Sequence, residues 1–256
     1  MKFCFTVDDN IKFFQQLNDK PVDDIFSHGY LKGWKKLHDK YGLKVQFNVF
    51  YKYVDGSFDL SKMTDRYKSQ FDKNSDWLKF SFHSEKENVK PYEASDYNQV
   101  YGDISKVNAE LERIVGKSAL ADTTTIHYCL LTDGGKRAVK ENGVKGLLGL
   151  FGNEEAKRTS YGIGYENAER IRKGEIIDID GIKYAGIDVI LNLYSAEEIK
   201  SKLKGIIGRD YIKIMTHEQY YYKDYFNYQP DYFYKNEQAV KMLIESGYES
   251  SFYQDF

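Results

Sequence analysis

The chain has 256 residues, with 37 basic and 39 acidic side chains and a formal net charge of −2. This balance argues against nucleic acid or an anionic membrane as an obligatory partner, because both attract an excess of basic residues. No apolar run is long enough to span a bilayer, the N-terminus shows no export signal, and two cysteines are too few for a disulfide framework, so we expect a cytoplasmic protein.

The first half of the chain alternates apolar strands with amphipathic helices. Strands are predicted where apolar side chains alternate or form short runs, over residues 3–7, 44–51 and 77–83. Helices are predicted where apolar side chains recur on one face, over residues 24–41, 63–71 and 96–115. The first strand is short and aromatic, and two adjacent carboxylates, Asp8 and Asp9, end it abruptly.

The second half continues this alternation. Further strands are predicted over residues 119–128, 144–150, 187–193 and 211–215, with a short terminal strand after Gly247. Further helices are predicted over residues 134–142, 196–207 and 236–246. Residues 152–175 predict a long loop with a short helix, and Asp180-Gly181 predicts a hairpin turn within residues 176–182.

About seven strands therefore alternate with helices, without a repeat or a linker. Such alternation is typical of parallel strands joined by crossover helices. We predict an α/β fold, a single domain over residues 1–256 that forms a distorted (β/α) barrel of about seven parallel strands. An open doubly wound sheet is the alternative, although no glycine-rich phosphate loop follows any predicted strand.

Five ionisable residues stand at the ends of predicted strands: Asp8, Asp9, His83, His127 and His217. In a barrel all strand ends of one direction meet at one mouth, so these side chains are expected to lie close together. Taken singly, the acid pair also suits a turn and each histidine a structural role. Taken together, they predict a functional site.

The chemistry that fits these residues is metal-assisted hydrolysis. A divalent ion takes about three protein ligands and leaves a position for water. Asp9 and His83 are the first two ligands, and the third is either Glu87, four residues after His83, or His127. Asp8 is placed to act as general base. His217 suits a general acid, because a histidine side chain can donate a proton near neutral pH.

Glu218 follows the proposed acid directly. It either orients His217 or is a solvated surface residue. The hydroxyl of Tyr128 is a candidate donor to the developing oxyanion. His127, Tyr128 and Glu218 are thus the predicted substrate-contacting residues.

At these motifs the chain resembles polysaccharide deacetylases of carbohydrate esterase family 4. The segment Phe5-Thr6-Val7-Asp8-Asp9-Asn10 is similar to the family's Thr-Phe-Asp-Asp-Gly opening, and residues 45–51 resemble its second strand. Residues 82–87 resemble its His-(Ser/Thr)-x-x-x-His metal motif, and residues 214–217 its Leu-x-His motif. The resemblance implies a distorted barrel of seven strands, with Asp8 as base, Asp9 and His83 on the metal, and His217 as acid.

The chain departs from the family pattern at three places. Glu87 stands where the family has its second metal histidine, and Asn10 where it has glycine. The family's Arg-x-Pro-Tyr segment, whose arginine helps to position the base, is missing, and the corresponding strand end offers Ile126-His127-Tyr128.

The expected function is a metal-dependent hydrolase, with zinc the expected ion, that removes N-acetyl groups from an amino sugar or glycan by cleaving a linear amide. Tyrosines between Tyr220 and Tyr234 either line a sugar cleft or pack beneath a loop. Two alternatives stay open: a non-catalytic glycan-binding protein on a degenerate barrel, and another metallohydrolase that cleaves an ester or a cyclic amide. The sequence leaves the sugar and the oligomeric state open.

Overall fold

The computed structural model describes residues 1–87, 92–151 and 160–256. Its strands are β1 Lys2–Asn10, β2 Val45–Lys52, β3 Leu78–Lys86, β4 Thr123–Thr124, β5 Gly146–Gly149, β6 Ile177–Ile179, β7 Ile182–Gly186, β8 Val189–Ile190, β9 Tyr211–His217 and β10 Glu249–Ser250. Its helices are α1 Lys12–Asp19, α2 Gly29–Tyr41, α3 Lys68–Lys73, α4 Tyr97–Val115, α5 Asp133–Glu141, α6 Tyr165–Arg172, α7 Ala196–Lys204 and α8 Tyr232–Glu245. No helix within these ranges is both long and apolar enough to cross a bilayer.

The strands form two sheets. The first has the order β3-β2-β1-β9-β8, all parallel, and β10 pairs with the start of β1. The second has the order β4-β5-β7-β6, in which only β6 is antiparallel, since it forms the predicted hairpin with β7. Asp180 and Gly181 at this turn have φ of 54° and 80°, the left-handed values that a two-residue hairpin turn requires.

The two sheets join into one ring. On one side, β7 and β8 are halves of one extended segment: the amide of Ile187 donates to Gly149 of the second sheet, and that of Asp188 to Lys213 of the first. On the other side, the amide of Ala121 donates to Phe80 of β3 just before β4. With β7 and β8 as one position, seven parallel strands surround the axis, which confirms the predicted distorted barrel.

Alternation along β1 separates the two sides of this barrel. Phe3, Phe5 and Val7 are fully buried in the large core beneath the helices. Cys4 belongs instead to a small cluster with Leu148 of β5 and Ala185 of β7, strands that do not neighbour β1, and with Tyr253 near the C-terminus. Such a contact must cross the barrel axis, so Cys4, Thr6 and Asp8 line the interior.

Several predicted elements have different bounds in the structure. The clearest predicted helix is confirmed as α4, which the side chain of Asp96 caps at the amide of Gln99. The helix predicted over residues 24–41 begins as the 3₁₀ turn Ile25–Ser27, and the one over residues 63–71 is shorter and later, as α3. Helix α1 is not predicted by the sequence pattern, because its eight residues are too few to show a clear period.

The largest differences concern two strands. The one predicted over residues 119–128 shrinks to β4, since Tyr128 and Cys129 adopt left-handed φ of 59° and 54° and turn the chain. The one predicted over residues 187–193 begins earlier, as β7, and ends in a 3₁₀ turn, Leu191–Leu193. In the long predicted loop, α6 is the short helix, and residues 152–159 lie outside the described residues.

Candidate metal centre and active site

Two β-bulges at the barrel mouth set the directions of the acid pair and of His83. The β1–β2 register shifts so that Asp8 and Asp9 together oppose Asn48 alone. The β2–β3 register shifts so that His83 is an extra residue. Asp9 also has a left-handed φ of 63°, a conformation that costs a non-glycine residue about 1 kcal/mol or more. Bulges of this kind re-aim side chains beside active sites.

Asp9, His83 and His127, which we call the mouth cluster, form the one metal-ligand group found among the described residues. Their ligand atoms all lie within 4.8 Å of one another. Nε2 of His83 is 3.1 Å from Oδ1 of Asp9 and 3.1 Å from Nδ1 of His127. Nδ1 of His127 is 3.6 Å from the same carboxylate oxygen. Three ligand atoms from three strand ends therefore converge on one point.

Hydrogen bonds to neighbouring groups determine which nitrogen and oxygen atoms of this cluster face one another. Nδ1 of His83 donates to the carbonyl of Thr125, so Nε2 carries no proton in the neutral ring. The side-chain amide of Gln219 donates to Oδ2 of Asp9 at 2.6 Å, which leaves Oδ1 to face the histidines. Acceptor atoms this close need a proton or a cation between them. The residues thus fit a divalent ion, and a ligand set of two histidines and one carboxylate suits zinc.

The pKa values of the cluster show which proton a metal ion would displace. Although burial opposes the shift, the charges of Asp8 and Asp9 raise the pKa of His83, which favours a proton on Nε2, between His83 and Oδ1 of Asp9, when no ion is bound. Burial would raise the pKa of Asp9, but the hydrogen bond from His83 and the imidazoles around it hold that pKa well below its usual value. Burial, together with the neighbouring His83, lowers the pKa of His127 to about 3. At neutral pH the cluster therefore holds a carboxylate and a neutral imidazole, the ionisation states that bind metals.

Asp8 and His217 lie beside the mouth cluster as direct neighbours in the β1–β9 register. Asp8 is only 2% exposed, and burial raises its pKa although His83 and His217 oppose this shift. The amide of Asn48 donates to Asp8 at 2.6 Å. His217 donates from Nδ1 to the side-chain oxygen of Asn192 at 2.9 Å, which directs Nε2 away from that contact. A carboxylate and an imidazole thus flank the mouth cluster.

The structure corrects the interpretation of Glu218. Its side chain is buried and accepts hydrogen bonds from the amides of Ile11, Lys12 and Phe13 and from the hydroxyl of Tyr222. It therefore caps the start of α1 and neither orients His217 nor contacts substrate. The side chains of adjacent residues at a strand end point to opposite sides, so those of His217 and Glu218 point in different directions. Asn192 takes the orienting role.

Glu87 is also placed differently from its prediction. It would share a face with His83 on a helical turn, but β3 stays extended through Lys86. Glu87 is exposed and is not a member of the mouth cluster. His127, the competing candidate, has the third potential ligand atom of the cluster. Tyr128 is half exposed beside it, with the two ring centroids 4.3 Å apart.

Sequence reasoning missed the amides around the site, which are Gln46, Asn48, Asn192 and Gln219. A signal existed for two of them. Gln46 and Asn48 alternate with apolar residues in the predicted second strand, and polar residues on the inward face of a barrel strand need partners. Nothing in the sequence marks Asn192 or Gln219, which lie in turns.

No family model matches the sequence, and no curated protein matches it. Solved structures do match. A family 4 acetyl xylan esterase from Clostridium thermocellum, in complex with a cobalt ion, has a TM-score of 0.55 at 13% identity, over 100% of this chain and 89% of that one. The Bc1960 peptidoglycan N-acetylglucosamine deacetylase has a TM-score of 0.56 at 9% identity, over 99% and 86%.

A third match is a pseudoenzyme. BA3943 from Bacillus anthracis, described as a pseudoenzyme of carbohydrate esterase family 4, has a TM-score of 0.53 at 8% identity, over 99% of this chain and 64% of that one. The chain thus has the fold of polysaccharide deacetylases of this family, as its motifs predicted. At such low identity the likeness concerns the fold alone.

Proposed function

We propose that this protein is a metal-dependent hydrolase that removes N-acetyl groups from an amino sugar or glycan. The observation that carries the proposal is the mouth cluster with Asp8 and His217 at its side. Asp9, His83 and His127 would hold the ion, and zinc is the ion we expect. Cobalt in the similar acetyl xylan esterase and the amide-cleaving activity named for Bc1960 support the assignment.

The chemistry divides among the residues at the mouth. A bound divalent ion would supply Lewis-acid activation of the acetyl carbonyl and of water. Asp8 accepts the proton of the attacking water, because its buried carboxylate adjoins the mouth cluster and its pKa is raised by burial. His217 gives a proton from Nε2 to the leaving amine. The Tyr128 hydroxyl stabilises the negative charge that develops on the acetyl carbonyl oxygen.

An aromatic ladder supports a carbohydrate as the substrate. Ring centroids are 6.1 Å apart between His217 and Tyr220, 5.1 Å between Tyr220 and Tyr225, and 4.5 Å between Tyr225 and Phe226. Phe226 at its outer end is 84% exposed. Aromatic rings offer apolar faces to the C–H surface of sugars, so the ladder would seat residues beyond the reacting one.

Two measurements on the purified protein test the proposal. Elemental analysis should find about one divalent ion per chain, and incubation with N-acetylated sugars should release free amine. We place the enzyme in the cytoplasm, where small or nucleotide- or lipid-linked sugars are the expected substrates. Turnover restricted to insoluble polymers would contradict that location.

The variant His217→Asn separates chemistry from metal binding. It removes the proton donor but no proposed ligand, so the rate should fall about 10²- to 10⁴-fold at unchanged metal content. Unchanged turnover would remove His217 from the mechanism.

A non-catalytic glycan-binding protein is the second candidate. The missing Arg-x-Pro-Tyr segment and the likeness to the BA3943 pseudoenzyme favour it. It predicts glycan binding without metal and without turnover. A third outcome, bound metal with acetate released from esters but no amine from N-acetyl sugars, would indicate an esterase instead.

A further inference from the structure

The geometry assigns Asn48 as the residue that positions the Asp8 base, at the end of a hydrogen-bonded network inside the barrel. We call this the interior network; its members are Asn48, Gln46, Ser81 and Thr123. The inference rests on the proposed function, since it treats Asp8 as a base. It goes further by naming what replaces the positioning arginine of the missing Arg-x-Pro-Tyr segment.

The network crosses three strands in five contacts, one of which joins the Gln46 amide to the Ser81 hydroxyl at 3.1 Å. The amide of Gln46 donates to the carbonyl of Thr123 at 2.7 Å and accepts from the hydroxyl of Thr123 at 3.0 Å. It also donates to Oδ1 of Asn48 at 2.9 Å. The hydroxyl of Ser81 donates to the same oxygen at 2.6 Å. All four residues are at most 5% exposed, so water does not compete for these bonds.

One backbone carbonyl sets the direction of the whole network. A carbonyl oxygen only accepts, so the NH₂ group of Gln46 must face Thr123. That NH₂ group and the Ser81 hydroxyl then both donate to Asn48, which fixes its oxygen toward them. The NH₂ group of Asn48 is left to point at Asp8, where it donates to Oδ1 at 2.6 Å.

The neutral amide of Asn48 holds the Asp8 carboxylate by a hydrogen bond, whereas the family pattern has a cationic arginine for this purpose. The bulge in β1 sets Asp8 opposite Asn48, so the contact depends on the same irregularity that aims Asp9. The Asn48 side chain has no hydrogen bond to a proposed metal ligand among the described residues. It is therefore a positioning residue, which acts on the reaction only through Asp8.

The test compares Asn48→Leu, which removes the amide at similar volume, with Thr6→Val. Thr6 is a matched control because it lies two residues before Asp8 on the same interior face and its buried hydroxyl has no partner among the described residues. Asn48→Leu should lower kcat about 10- to 100-fold with KM and zinc affinity nearly unchanged, since a displaced base costs rate and not binding. Thr6→Val should keep the wild-type kcat.

A second variant covers the case in which Asn48→Leu does not fold. Ser81→Ala removes one donor to Asn48 and should lower kcat about 3- to 10-fold. If Ser81 acts through Asn48, the double variant should be no slower than Asn48→Leu alone. Additive losses, or a fall in zinc affinity, would overturn the assignment.

A crystal structure of the zinc-loaded Asn48→Leu protein gives a readout that needs no activity. We expect the Asp8 carboxylate to leave its wild-type position while Asp9, His83 and His127 keep theirs. An unmoved Asp8 overturns the inference. Wild-type protein without turnover would overturn the proposed function instead, so the two failures are distinguishable.

Discussion

Two groups of ionisable side chains in the barrel are built in opposite ways. At the junction of the two sheets, Asp188, Lys213 and Arg209 form what we call the seam cluster. Asp188 accepts from the Arg209 guanidinium at 2.7 Å and from the Lys213 backbone amide at 2.8 Å, and its carboxylate is 3.1 Å from the Lys213 ammonium. In this cluster every contact joins a donor to the Asp188 carboxylate, and two of the three donors are cations.

The mouth cluster has the reverse composition. Its ligand atoms are a carboxylate oxygen and two imidazole nitrogens, all of them acceptors when the rings are neutral. Asp9 also holds a left-handed backbone conformation there, whereas neither Asp188 nor Lys213 has a positive φ. Buried charge alone therefore does not identify a functional site in this protein. We infer a functional site from the convergent acceptor atoms of the mouth cluster, which have no counter-charge of their own and are held on a strained backbone.

The largest expected effect follows from removing the carboxylate of the mouth cluster. Asp9→Asn should weaken zinc binding by at least about 100-fold, because a first ligand matters more than its hydrogen-bond partners. Turnover should fall on the order of 10³-fold with the loss of the ion's electrostatic contribution. Calorimetric titration with zinc and the free-amine assay measure both. A variant that retains full activity would dismiss the site.

The seam cluster should respond to the same substitution in the opposite way. Asp188→Asn leaves the Lys213 ammonium buried without its counter-charge, which should reduce the free energy of unfolding by roughly 3–5 kcal/mol. Urea denaturation measures this loss, and zinc affinity should stay at the wild-type value. If Asp188→Asn instead lost zinc and kept its stability, the contrast between the two clusters would be wrong.

Glu218 tests the boundary between the two kinds of role, since it is buried at the mouth but fully hydrogen-bonded. Glu218→Gln turns an acceptor into a donor against the amides that start α1, and should cost about 1–3 kcal/mol of unfolding free energy. His217→Asn should leave stability almost unchanged. The pair is compared by thermal melting and by kcat. Lost turnover in Glu218→Gln at intact stability would restore Glu218 to the chemistry.

The smallest expected effect is a pH dependence of stability caused by His28, a histidine outside the mouth cluster. Its Nε2 contacts Oε1 of Gln16 at 2.8 Å, while its buried Nδ1 has no partner among the described residues. Burial lowers the pKa of His28 from 6.5 to about 4. The unfolded chain therefore takes up a proton before the folded protein does, and stability falls as the pH drops from about 6.5 to 4.

With allowance for partial exposure, this loss should amount to about 1–2 kcal/mol. Urea denaturation at a series of pH values measures it. The variant His28→Gln should flatten that part of the profile. An equally steep profile in the variant would assign the acid sensitivity to other groups.

The sequence pattern predicts most members of the site but not their internal arrangement. Asp8, Asp9, His83, His127 and His217 all end predicted strands, and the structure brings all five together at one mouth. Glu87 and Glu218 are predicted only from their sequence distance to a histidine. Glu87 is exposed and outside the mouth cluster, although partial desolvation and the nearby charge of Asp9 raise its pKa, and Glu218 caps α1. A sequence distance becomes a direction in space only when the local backbone conformation is known.

The sequence by itself determined the alternation of strands and helices, and with it a parallel barrel whose strand ends carry acids and histidines. Apolar periodicity is a local property, so one chain segment at a time is enough to read it. Only the tertiary structure decided which of those side chains face one another. Two bulges and the left-handed residue Asp9 set those directions, and the bulges depend on pairing between strands that are far apart in the chain.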